Sequence, residues 1–345
     1  MKKVIVEKYR LLSFDLIKLL AIFFVIWGHS ISGFLSTDSS DNAVFRILNS
    51  FHVALFMMIS GFFSVSSMKL DAFHFVFKKF KQLIYPCFLW GLLLLICLYI
   101  IHLDNPILKF SLKEILTDLY WYSDFWFLKS CFICYCLLYL GIHSGLRNTY
   151  CFFLTILMSQ LIPPFQVSFM YPCFIIGFEI KQNSKFLEFV KFYTPYICCC
   201  FIIMLIFWDK TAWGNSHGFS FDFFLSGVNN FLNVLFFRLY RLFIGVMGAL
   251  SFMGLAINIS NTKLHDKYVA NICLWGSYTL EIYILQAIVF ERLLFNFVKF
   301  DMMNIYIFNF VFSPTISFII LLVCIFILEV LKKSKGMMLF LFGRN

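Results

Sequence analysis

Residues 10–30 read RLLSFDLIKLLAIFFVIWGHS, an apolar run that nevertheless carries Asp15, Lys18 and His29. About 20 apolar residues suffice to cross a bilayer as a helix. An ionisable group at the centre of such a span costs about 2.5–3.5 kcal/mol on insertion scales, so those that persist are tied to function more often than to packing. The run therefore fixes two expectations together: a membrane helix, and a helix with chemistry on one face.

The rest of the chain agrees with the first of these. Its 345 residues are 61% hydrophobic and only 13% charged, against about 45–50% and about 25% in soluble domains. The apolar character runs from end to end, so the expectation is an all-α, polytopic membrane protein. It forms a single membrane-embedded domain over residues 1–345, without a cleavable signal peptide. Ten candidate spans can be drawn, at 11–35, 44–68, 83–103, 126–142, 151–165, 168–180, 194–208, 235–258, 272–298 and 305–331, with a short cytoplasmic tail at 332–345. The fifth and sixth are short and joined by Pro163-Pro164, so they read either as two full helices or as a re-entrant pair. An even count puts both termini on one side. With that side cytoplasmic, the inside segments hold 18 Lys and Arg and the outside segments 4, the asymmetry that positive-inside topology requires.

The net charge of +10 does not indicate nucleic acid, because the basic residues alternate with apolar runs and form no stripe. Most of the 12 Cys lie inside apolar runs, where Cys acts as a small apolar side chain. Cys131-x-x-Cys134 has metal-like spacing but no second pair and no nearby His, so no metal site is expected. No phosphate-binding loop, nucleophile elbow or zinc-protease helix is present.

Lys18 and His29 are eleven residues apart. At 100° per residue they share a helix face, about 16 Å apart along the axis. Asp15 is one turn before Lys18 and is placed to pair with it. In the bland reading Lys18 snorkels to the headgroups, Asp15 neutralises it, and His29 hydrogen-bonds a neighbouring helix. In the functional reading the strip joins a cationic cytosolic mouth to a deep imidazole able to transfer protons at neutral pH. The second helix carries FHVALFMMISG at 51–61. It brings His52 to a depth like that of His29, and Ser60 with Gly61 further in, where glycine permits close helix contact. The following inside loop holds Lys78 and Lys81, one turn apart. They serve either positive-inside bias or the clamping of a phosphate. Arg238 and Arg241, one turn apart on a later helix, either line an acceptor side or anchor the helix end. Glu281 and Glu291 are further acids within apolar segments, and no role is assigned to them.

In order along the chain, Lys18-x10-His29, Phe51-His52 to Ser60-Gly61, Lys78-x-x-Lys81 before Pro86, Trp126-Phe127-Leu128, and the Gly276 to Tyr283 segment resemble the motifs of the acyltransferase-3 family. The resemblance covers nearly the whole chain. It implies a membrane-bound O-acyltransferase that moves an acyl group, acetyl above all, from cytosolic acyl-CoA to a hydroxyl of a cell-surface or lipid-linked glycan at a bacterial inner membrane. Acyl-CoA is then a substrate, and no bound cofactor is expected. The catalytic assignment is His29 with Asp15, the donor-binding assignment is Lys18, Lys78 and Lys81, and the site-lining or acceptor side is His52, Ser60, Trp126, Arg238, Arg241 and Tyr283. The sequence departs from the family pattern in having lysine where the loop motif has arginine, Ala54 in place of proline, and Gln286 where many relatives carry a histidine. The competing class is a permease for a glycan or small solute, with Asp15, Lys18 and His29 as a proton relay; it predicts a path open to both sides and no CoA binding.

Overall fold

A computed structural model of the chain describes residues 2–101, 125–145, 148–162, 164–217, 228–263, 272–294 and 304–344. The elements they form are all helices, with no strand among them. The principal helices are α1 (Lys2–Phe34), α2 (Ala43–Ser64), α3 (Ala72–Lys79), α4 (Tyr85–Ile101), α5 (Trp126–His143), α6 (Asn148–Gln160), α7 (Val167–Gln182), α8 (Ser184–Ile206), α9 (Lys210–His217), α10 (Val228–Lys263), α11 (Thr279–Gln286), α12 (Ser313–Leu331) and α13 (Lys335–Phe342).

Among the described residues, seven segments are long and apolar enough to cross a membrane: Leu12–Phe34, Ala43–Ser64, Trp126–His143, Ser184–Ile206, Leu232–Ile259, Ile272–Glu291 and Ile305–Leu331. The described residues of the ten expected segments are helical apart from Leu35, Val65, Ser66, Leu161, Ile162, Phe207 and Trp208. The three that fall outside the seven are α4, α6 and α7, with 17, 13 and 16 residues. At 1.5 Å per residue α6 and α7 measure about 20 and 24 Å, short of the ~30 Å hydrocarbon thickness. Most of the expected outer loop 104–125 and the centre of 209–234 lie outside the described residues.

The hub of the bundle is α2, packed against α7, α10 and α1. A Cβ on Gly61 would come within 1.9 Å of the Phe174 carbonyl oxygen, and one on Gly177 within 1.8 Å of the Met58 carbonyl. The two glycines therefore let the α2 and α7 backbones touch. Where the driving force is van der Waals contact and not exclusion of water, small residues set how near two helices come. Polar side chains join α1 to α12: Trp27 Nε1 donates to Ser313 Oγ at 2.8 Å, and Ser317 Oγ to Ser30 Oγ at 2.9 Å.

The turn between α6 and α7 has two consecutive left-handed residues, Phe165 (φ 60°) and Gln166 (φ 54°). Side chains with a Cβ adopt that conformation only when their surroundings hold them there. Here Ser130 Oγ donates to the Phe165 carbonyl, Gln160 Nε2 donates to Ser168 O at 3.1 Å, and Arg241 Nη2 donates to Gln166 Oε1 at 2.6 Å.

Candidate functional site

On α1, Lys18 donates to Asp15 Oδ1 at 2.8 Å and lies over the Phe63 ring of α2, 4.3 Å from its centroid. Fourteen residues of helix, about 21 Å, separate Asp15 from His29. The structure therefore keeps Asp15 with Lys18 and away from the imidazole.

The carboxylate beside His29 comes from elsewhere. Past α11 the helix continues as a wider π turn over Ala287–Leu294. Such turns are rare and occur frequently at functional sites. This one sets Glu291 Oε1 3.3 Å from His29 Nδ1. Glu291 Oε1 makes no hydrogen bond among the described residues, but a carboxylate at this distance stabilises the imidazolium that forms when Nε2 takes a proton. The sequence showed Glu291 as an acid in an apolar run, but its partner lies more than 260 positions away. No spacing rule reaches that far.

His52 is buried, and its Nδ1 donates to the Leu48 carbonyl at 2.7 Å, one turn back on α2. That leaves Nε2 as the basic nitrogen. His52 has no carboxylate partner among the described residues, so of the two imidazoles only His29 is set up as a base with charge support.

Both imidazoles line a cavity of about 120 Å³, outer in the expected topology, with Ser60, Trp126, Thr279 and Tyr283 among its other walls. A second cavity of about 280 Å³, inner in that topology, is lined by Lys18, Lys79, Gln82, Tyr135, Glu281 and Arg344, among others. The two adjoin: Phe56, Ser60, Leu83, Cys131, Thr279 and Leu280 wall both. The upper wall is aromatic, Phe127 meeting Tyr283 edge-on at 5.8 Å. The arrangement is two adjoining cavities, one with cations in its wall and the other with an imidazole beside a carboxylate. Such a pair suits a long, thin ligand with a charged head and a reactive tip.

The loop lysines are distributed differently from the expectation. Lys78 is exposed and lines neither cavity, and Lys81 is half-buried. Lys79 takes the inward position: it is buried against the Tyr135 ring, 3.7 Å from its centroid, in the wall of the inner cavity. Burial lowers its ammonium from the usual lysine value to about 8, with neighbouring Lys78 adding to the fall and Cys131 opposing it. The signal for Lys79 was periodicity. Phe75 and Lys79 are four apart on α3 and both buried, while Phe73, Val76 and Phe77 on the other faces are exposed. That leaves an amphipathic helix able to lie in a membrane interface.

Arg241 is buried over the Phe169 ring, holding the α6–α7 turn through Gln166. Neither it nor Arg238 lines either cavity. Gln286 is buried with no hydrogen-bond partner for its amide among the described residues. The described residues contain no cluster of His, Cys, Asp and Glu able to hold a metal.

A family profile described as an acyltransferase domain matches residues 11–331. No curated protein and no solved structure matches the chain.

Proposed function

The chain belongs to the acyltransferase-3 family, and from that premise we propose that it is a multi-pass O-acetyltransferase of a bacterial inner membrane, moving acetyl from cytosolic acetyl-CoA to a hydroxyl of a lipid-linked or cell-surface glycan. The observation that carries this reading is the pair of adjoining cavities. Lys18 and Lys79 line the inner one and His29 the outer one, and the two share six wall residues. The ~16 Å between Lys18 and His29 along α1 is a length that an extended pantetheine arm spans. Phosphates at the inner mouth thus put the thioester near the imidazole.

The chemistry follows from the pair at the outer end. His29 Nε2 takes the proton of the acceptor hydroxyl as that oxygen attacks the thioester carbonyl. Glu291 at Nδ1 balances the imidazolium charge. The tetrahedral intermediate collapses by breaking the C–S bond, and the imidazolium returns its proton to the thiolate, giving the acetyl ester and free CoA. In a two-step route His29 Nε2 itself attacks the thioester and the C–S bond breaks; the acceptor hydroxyl then attacks the acetyl-imidazolium and its proton passes to the thiolate, because the acylated Nε2 cannot take it.

The test uses the purified chain in nanodiscs with radiolabelled acetyl-CoA and total lipid-linked glycan. His29→Ala is expected to lower label transfer by about 10²–10⁴-fold, the usual worth of a general base. Transfer at the wild-type rate would overturn the assignment. Glu291→Gln is expected to lower kcat by about tenfold or more while leaving KM for acetyl-CoA unchanged, with Glu291→Asp recovering part of the loss. Equal damage to kcat and KM would make Glu291 a packing residue.

A further inference from the structure

The last described helix, α13, folds back onto the inner mouth. Tyr85 Oη donates to the Phe340 carbonyl at 2.8 Å and Trp90 Nε1 to the Leu341 carbonyl at 2.9 Å, pinning α13 along α4. Gly343 then turns the chain in the left-handed region (φ 63°), and a Cβ there would lie 2.2 Å from the Lys81 carbonyl oxygen. Only glycine fits so close an approach with that backbone. The turn delivers Arg344 to the inner cavity, where Nη1 donates to Glu281 Oε1 at 2.9 Å and to the Ser277 carbonyl at 2.9 Å.

Glu281 is fully buried, lines the same cavity, and has one carboxylate oxygen, Oε2, without a hydrogen-bond partner among the described residues. Its side chain has no exposed surface, so this carboxylate serves to hold Arg344. Arg344 remains 46% exposed on its side chain, so part of its guanidinium is open to the mouth. The mouth thus offers two kinds of cation. Lys18 and Lys79 are point charges, one committed to Asp15 and one to an aromatic ring. Arg344 is a planar fork of the geometry that grips phosphate oxygens two at a time.

We propose that Arg344, held in place by Glu281, forms a clasp for the donor's head, with its guanidinium taking the phosphates. The proposal rests on the acyl-CoA reading and names a binding element for it that lies outside the first helix and the loop lysines. It also makes α13 a closure of the inner mouth, held by its backbone on α4 and Lys81.

The test compares CoA with S-acetylpantetheine, which has the arm and thioester but no phosphates. Binding to the full chain in nanodiscs is measured by thermal stabilisation and calorimetry. Arg344→Gln is expected to weaken CoA by about tenfold, about 1.4 kcal/mol, and to leave S-acetylpantetheine unchanged. Arg344→Lys, which keeps the charge and loses the fork, is expected to fall between. Glu281→Gln, which keeps an acceptor but loosens Arg344, is expected to weaken CoA less than Arg344→Gln. If wild type binds CoA and Arg344→Gln binds it equally, the clasp is wrong and the acyltransferase reading stands. If Arg344→Gln loses both ligands equally, Arg344 only latches α13 and the phosphate role is overturned. If the wild type binds no CoA, the donor reading fails and the clasp with it.

Discussion

A lysine buried against tyrosine is a switchable charge. Lys79 sits in the wall of the inner cavity, outside the membrane-crossing segments, with its ammonium lowered to about 8 by burial. Below that pH it carries the positive charge that an anionic donor head needs; above it the charge is lost. CoA binding is therefore expected to weaken as pH rises through 8, by up to about tenfold per pH unit, because binding the anion then requires taking up a proton. Lys79→Arg holds the charge across this range, so its CoA affinity is expected to stay flat from pH 7 to 9.5. Calorimetry on both proteins checks this, and a wild-type profile as flat as that of the variant removes Lys79 from the mouth. At the same scale, His29 and Glu291 show that a residue's chemistry can depend on a neighbour far along the chain.

At the scale of elements, close backbone contact does what side-chain packing does in soluble proteins. Gly61 lies next to Ser60, a wall residue of both cavities, and its α-carbon faces the Phe174 carbonyl of α7. Gly61→Ala must push α2 and α7 apart, since the atom it meets is backbone and cannot rotate away. The expected cost is about 1–3 kcal/mol, the usual penalty of overpacking, read as a lowered melting temperature in nanodiscs. An unchanged melting temperature would mean that the two helices have slack at this contact. Glycine so placed was legible in the sequence as a contact-permitting residue of the second helix. Which helix it would touch was not, because α7 reaches it from 113 positions away. The π turn at Ala287–Leu294 was not legible either. Its one-residue widening leaves no compositional mark, yet it is what aims Glu291 at His29.

For the whole molecule, the distribution of Lys and Arg predicts sidedness. In a chain stripped of native cysteines, Asn183→Cys and Ser334→Cys are expected to react with a membrane-impermeant thiol reagent only from the cytoplasmic face, and Thr37→Cys only from the opposite face. All three positions are exposed. Labelling of Thr37→Cys and Ser334→Cys from the same side would break the even count of crossings, and labelling of Thr37→Cys from the cytoplasmic face would reverse the direction given to the two cavities. The sequence by itself determined the class of protein and the axis of the site. Apolar runs of sufficient length must be helices in lipid, because every backbone polar group has to be satisfied within the segment, and an eleven-residue spacing fixes the shared face of Lys18 and His29 by helix geometry alone. Tertiary structure alone decided who stands around them. Glu291 at His29, Lys79 in the inner wall and Arg344 on Glu281 are meetings across tens to hundreds of residues. They are set by how helices pack, and local sequence rules extend only a few turns.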